Sequence, residues 1–148
     1  MKYTKEVSEK LNDLLTKNYD AEAGYKLAKD KVNSSRIKDF FIDQAQERYN
    51  FGHELKEDIR NYGESPDKGT SLKGDAHRTW MKFKSAFSTN NQEAILEEAI
   101  RGEKTALKEY NSIISETALP PSTKNMLTKH RNTILNSLSR VTAMEEIA

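Results

Sequence analysis

The stretch that decides the fold runs from Tyr62 to Asn91, YGESPDKGTSLKGDAHRTWMKFKSAFSTNN. Tyr62-Gly63 ends a helix, because glycine readily takes the left-handed conformation of a C-cap, and Pro66 follows shortly after. Further on, Leu72, Trp80, Phe83 and Phe87 fall on a short helix that Thr89-Asn90-Asn91 breaks. About 18 residues of helix, at about 1.5 Å each, span roughly 27 Å, comparable with a main helix. A connection of that reach returns along a bundle and leaves the helices before and after it parallel.

Working outward, the flanking segments are long and helical. From Val7, apolar residues recur at Leu11, Leu14, Leu15, Ala21, Tyr25, Ala28 and Val32, the spacing of one helix face. This first helix is expected to stop near Asn33-Ser34-Ser35, where a serine caps the second. The second carries Ile37, Phe40, Phe41, Phe51, Leu55 and Ile59. After the crossover, Asn90 and Glu93 have the spacing of a capping box. They open a third main helix through Ile95, Leu96, Ala99, Ala106, Leu107, Tyr110, Ile113 and Ile114. Leu119-Pro120-Pro121 ends it and pre-sets the first turn of a fourth, with Leu127, Ile134, Leu138 and Val141 on its stripe. The short links make two antiparallel hairpins. Two hairpins joined by one long crossover are the ferritin-like four-helix bundle, so an all-α single domain over residues 1–148 is expected.

The bulk properties narrow the function. The chain has 148 residues, 35% hydrophobic and 32% charged, enough for one periodic core and too patterned for disorder. A net charge of +1 gives no global attraction to nucleic acid or anionic membrane. Without cysteine there is no disulfide, thiolate chemistry or Cys-ligated zinc. The start, MKYTKEVSEKLNDLL, lacks the apolar core of a secretory signal, and no apolar run reaches the roughly 18 residues of a membrane span. A cytoplasmic location is expected.

Two acids stand on or beside the apolar stripes: Glu22 in DAEAGY (20–25) and Glu103 in IRGEKTAL (100–107). Small residues surround both, Ala21, Ala23 and Gly24 in one and Gly102 in the other, and the segments look like a weak internal duplication. Ferritin-like di-metal centres take one Glu from each of two helices and Glu-x-x-His from each of the others. The histidines here, His53, His77 and His130, follow Asn50, Gly74 and Leu127 by three, so that motif is absent. An iron or manganese site would have to draw on Glu22, Glu47, Glu103 and His130, a poor donor set for two redox metals.

A guanidinium offers a simpler partner. Arg48 lies on the second helix's stripe between Gln44 and Phe51, where it needs an anion, and its forked N–H groups can donate to two carboxylates. The expectation is a buried polar cluster of Glu22, Arg48, Glu103 and Gln44, extended by Asn18 and His130, with no cofactor. His77 and Trp80 on the crossover are candidates for a ligand or subunit contact. There is no phosphate-binding glycine loop and no context for a Ser–His–Asp triad. The last helix is basic at Lys124, Lys129, Arg131 and Arg140, the third acidic at Glu93, Glu97 and Glu98, a pattern of complementary neighbouring helices. Neither aromatic interleaving nor a reader motif supports DNA binding.

Taken in order, LNDLL, DAEAGY, FFIDQAQERYNFGHEL, HRTWMKFK, AILEEAIRGEKTALKEY and LPPSTKNML resemble a family of small bacterial ferritin-like bundle proteins of unknown function, distantly similar to rubrerythrins and to stress-associated bundle proteins. The resemblance covers about Leu11 to Val141. It is carried best by Asp20, Glu22, Gly24 and Tyr25, and by Glu97, Glu98, Arg101, Gly102 and Glu103. It implies a bundle, often a homodimer, with a stress connection and no settled reaction. Many relatives are expected to carry a late histidine where this chain has Leu138 or a neighbour, which weakens a metal assignment. The resulting expectation is a non-catalytic bundle acting by self-association or partner binding. The alternatives are a di-iron or di-manganese oxidoreductase and a small-molecule-binding bundle.

Overall fold

Among the described residues, five α-helices follow one another: α1 (Lys2–Ala28), α2 (Ser35–Asn61), α3 (Gly74–Phe87), α4 (Gln92–Glu116) and α5 (Pro121–Ile147). The computed structural model describes residues 2–69, 74–116 and 118–147, and no strand occurs among them. The helices start and stop for local reasons. Ser34 accepts a hydrogen bond from the Ile37 amide and caps α2. At the other end of α2, Gly63 has φ +79°, and the Glu64 amide reaches back to the Ile59 carbonyl at 3.2 Å, the paired closure of a glycine C-cap. Pro121 opens α5 at the position where its missing N–H is harmless.

α1 packs along α2 and α4 along α5; α1 also touches α4, and α2 touches α5. The other two pairings, α1 with α5 and α2 with α4, are the diagonals. One core layer gathers Tyr25 and Ala28 near the end of α1, Phe40 and Phe41 near the start of α2, Ile95 and Leu96 near the start of α4, and Val141 near the end of α5. The second gathers Leu11 and Leu15, Leu55 and Ile59, Tyr110, and Leu127. Both hairpins are therefore antiparallel, and α2 and α4 run the same way. The apolar stripes read from the sequence on α1 and α2 are buried throughout. Each such aliphatic or aromatic side chain contributes about 1.5–3 kcal/mol.

The crossover lies on the α1–α4 side. Asn12 holds its first part, accepting from the Asp67 amide at 2.8 Å and donating to the Ser65 carbonyl at 3.2 Å. Tyr19, two turns further along α1, donates to the Asp67 carbonyl at 3.3 Å. α3 then packs on α1 and α4, with Phe87 fully buried.

Two local expectations need correcting. α1 ends at Ala28, and residues 29–31 continue in tight turns, the Lys31 amide bonding the Ala28 carbonyl. The N-cap of α4 is Asn91 rather than Asn90: its side chain accepts from the Ala94 amide at 3.1 Å. The crossover helix is 14 residues long as described, and Leu72 lies outside the described residues. No described helix is long and apolar enough to cross a membrane.

Candidate ligand-binding site

The centre of the bundle is polar, and the sequence explains which groups reach it. Arg48 sits one turn after Gln44 and three residues before Phe51 on the buried face of α2. Its Nη2 donates to Glu103 Oε2 at 2.8 Å, and its Nη1 donates to Asn18 Oδ1 at 2.9 Å. The Tyr25 hydroxyl donates to the other Glu103 oxygen. Asn18 passes the chain on: its Nδ2 donates to the Tyr110 hydroxyl at 3.0 Å and to the Leu14 carbonyl at 2.9 Å. Tyr110 is 3.0 Å from His130 Nδ1. Because Tyr110 already accepts from Asn18, its own proton goes to Nδ1, which puts the imidazole hydrogen on Nε2. One polar network thus joins α1, α2, α4 and α5.

Burial sets the charge states. Burial alone would lower the Arg48 pKa, but the adjacent Glu103 carboxylate more than reverses this, so the guanidinium stays charged. Burial, with Glu103 beside it, raises the Tyr25 hydroxyl well above its usual value. Tyr110 is likewise raised, chiefly by burial. Both tyrosines are neutral donors. His130 is pushed down to about 3 by burial and by Arg48, so it is neutral and its 3.6 Å approach to Glu54 is not an ion pair. Its Nε2 is buried without a hydrogen-bond partner.

The structure brings together Arg48, Glu103, Asn18 and His130 and leaves Glu22 out. Glu22 turns outward and pairs with Lys26 one turn along α1 at 2.8 Å. Its place is taken by Tyr25, three residues on, whose hydroxyl the apolar spacing could not assign. Gln44 is buried on the Arg48 face, but the network's bonds run through Asn18 and the two tyrosines. Glu47 is only partly buried.

A two-metal centre built on Glu22, Glu47, Glu103 and His130 does not fit this geometry. Both Glu103 oxygens are occupied by Arg48 and Tyr25, Glu22 by Lys26, and the His130 Nδ1 by Tyr110. Among the described residues, the acids and histidines whose ligand atoms approach within 4.8 Å as a trio are Glu93, Glu97 and Glu145, where the start of α4 meets the end of α5. Exposed acids of that kind are ordinary.

The two glycine-bearing blocks serve α3. A Cβ on Gly24 would lie 2.7 Å from Phe83 Cδ2 and 2.9 Å from Phe87 Cδ2; one on Gly102 would lie 3.3 Å from Phe83 Cε1. Phe83 is therefore seated between α1 and α4 in a notch that only missing side chains provide. Each block offers a glycine to the same ring, and Tyr25 from one bonds Glu103 from the other.

Beside Phe83 the notch widens into a cavity of about 150 Å³ between α1, α3 and α4. Leu14, Ala21 and Ala106 supply apolar wall, Trp80 and Phe83 line it from α3, and Arg48, Asn18, Tyr25 and Tyr110 form its polar floor. At the rim, Lys17 pairs with Glu109 and Arg101 pairs with Glu98, the latter at 2.6 Å. Trp80, singled out in the sequence, is at this site; His77 is not among its walls. Sequence reasoning did not anticipate the cavity itself. Its only trace was the run of small residues, Ala21, Gly24, Gly102 and Ala106, at helical spacing on two helices.

No curated protein matches the sequence. A family model described as a domain of unknown function, DUF2383, matches residues 6–116, from the first turns of α1 to the end of α4. That span holds every cavity wall and floor residue, and the chain belongs to the DUF2383 family.

Proposed function

We propose that this protein is a non-catalytic, small-molecule-binding bundle whose site is the cavity between α1, α3 and α4. The observation that carries the reading is an apolar pocket of about 150 Å³ with a fixed polar floor. A concave apolar site with a few convergent polar groups of displaced pKa is the usual form of a ligand pocket. The floor groups are already paired with one another, so they are pre-organised to orient a guest rather than to transfer protons. The order of the helices, two hairpins with α2 parallel to α4, supports a ferritin-like assignment of the bundle. The filled coordination of Glu103 argues against an iron or manganese cofactor.

The chain has one tryptophan, and it stands in the cavity wall, so intrinsic fluorescence reports on the site directly. A screen of small metabolites is expected to give saturable changes in Trp80 emission with a matching rise in melting temperature. Ala106→Phe, which fills the cavity from α4, is expected to abolish them. Saturable binding that survives Ala106→Phe would place the ligand elsewhere and remove this reading.

Self-association is the second reading, supported by Ile42 and Tyr49, two exposed large side chains one heptad apart on the outer face of α2. Sedimentation equilibrium tests it: Tyr49→Lys is expected to dissociate a dimer, and a wild-type protein that stays monomeric at every concentration would exclude it.

A further inference from the structure

Resting on the cavity as a ligand site, we propose a chemical class for its occupant: a neutral, flat, single-ring molecule with one hydrogen-bond acceptor, held against Arg48.

Size comes first. A cavity of about 150 Å³ is the volume known to accept a single benzene ring when its walls are apolar. Two walls here are aromatic, Trp80 and Phe83, with ring centroids 6.4 Å apart, and they offer faces and edges to a flat guest. The small side chains at Ala21 and Ala106 leave room for a ring.

Polarity follows from the floor. A guanidinium has five N–H donors. Arg48 commits one to Glu103 and one to Asn18, and as a side chain 4% exposed that lines the cavity it has donors left for a guest. The groups beside it are themselves neutral donors or already engaged. The floor therefore lacks an acceptor partner, and a carbonyl or similar oxygen supplies it. A purely apolar ring would leave those donors unpaired beside a displaced solvent, which is the costly outcome for buried polar groups.

Charge excludes the two ionic alternatives. Glu103 already balances Arg48, the rim pairs Lys17–Glu109 and Arg101–Glu98 balance each other, and the two other charged wall residues, Asp20 and Lys82, are of opposite sign. An anion entering this site would be desolvated against a lining that, with Glu103, has no net charge, and a cation would face the guanidinium. An uncharged acceptor meets neither penalty.

Four isosteric or near-isosteric probes separate these features in calorimetric titrations of the full chain: benzamide, benzoate, benzamidine and toluene. Benzamide is expected to bind at least tenfold more tightly than each of the others, with the Arg48 Nε–H resonance shifting on saturation and with no binding to Ala106→Phe. Benzoate binding as tightly as benzamide would overturn the neutral class, and toluene doing so would overturn the role of Arg48. An unmoved Arg48 resonance at benzamide saturation would also overturn it. Failure of all four to bind would overturn the ligand-site reading itself, which is distinguishable from a wrong ranking among probes that do bind.

Discussion

Arg48 on α2 and Glu103 on α4 meet at 2.8 Å across a diagonal of the bundle, with 4% and 0% of their side chains exposed. The two helices do not pack on each other, so this pair and its tyrosine and asparagine partners are what fill the space between them. Such a network need not add net stability relative to an apolar core, but removing one member strands the rest. Arg48→Met is expected to lower unfolding free energy by about 3–5 kcal/mol. Combining it with Glu103→Leu is expected to recover a large part of that loss, because no buried charge is left. Urea denaturation of the two variants checks this; a double variant no more stable than the single would show that the charges do not act as a pair.

Gly24 and Gly102 hold the same ring but at different clearances, and the difference predicts opposite outcomes. Alanine in a helix interior gains about 1 kcal/mol over glycine. At Gly102 the new methyl would meet one atom of Phe83 at 3.3 Å, so Gly102→Ala is expected to be neutral or slightly stabilising. At Gly24 it would meet Phe83 and Phe87 below 3 Å. Overpacking of this kind costs about 1–3 kcal/mol, and Gly24→Ala is expected to lower the melting temperature and to loosen α3, seen as a red-shifted Trp80 emission. Equal effects at both positions would contradict the seating of Phe83.

His130 makes stability depend on pH. Its folded-state pKa is about 3 against an ordinary 6.5, lowered by burial and by Arg48. Between those values the unfolded chain binds the extra proton, so stability rises with pH. The contribution is complete above about 6.5 and is lost progressively as pH falls toward 3. His130→Phe keeps a ring against Phe51, which stacks on the imidazole at 4.0 Å between centroids, and removes the titration. The urea midpoint of the variant is expected to change less than that of the wild type between pH 7 and 4. Identical slopes would mean that other groups carry the acid sensitivity.

Because Glu103 is held by Arg48 and Tyr25, Glu22 by Lys26 and the His130 Nδ1 by Tyr110, indifference to metal is expected. Melting temperature is expected to be unchanged by chelator and by added iron(II) or manganese(II). A fall of several degrees with chelator would show that a cation, rather than Arg48, balances the interior acid.

Much of the fold was legible because helical periodicity reports burial directly: the stripes on α1 and α2 are buried as spaced, and Arg48 announced itself by standing among apolar neighbours. Glu103 was legible for the same reason. Glu22 misled because one residue is about 100° of helix turn, which is the difference between Ala21 facing inward and its neighbour reaching Lys26. Tyr25 and Tyr110 were read as apolar because spacing locates a ring and says nothing of where its hydroxyl ends. The cavity left almost no trace, since it depends on how α3 is laid across two other helices. That docking is written in glycines, whose meaning emerges only when Phe83 is seen between them.

The most direct test of the central claim is a crystal structure of the native protein at benzamide saturation, with anomalous data collected. The account predicts the ring between Phe83 and the α4 wall, its carbonyl oxygen within hydrogen-bond distance of the Arg48 guanidinium, and Arg48 still paired with Glu103. An anomalous peak bridging Glu103, or a benzamide bound away from Arg48, would contradict it.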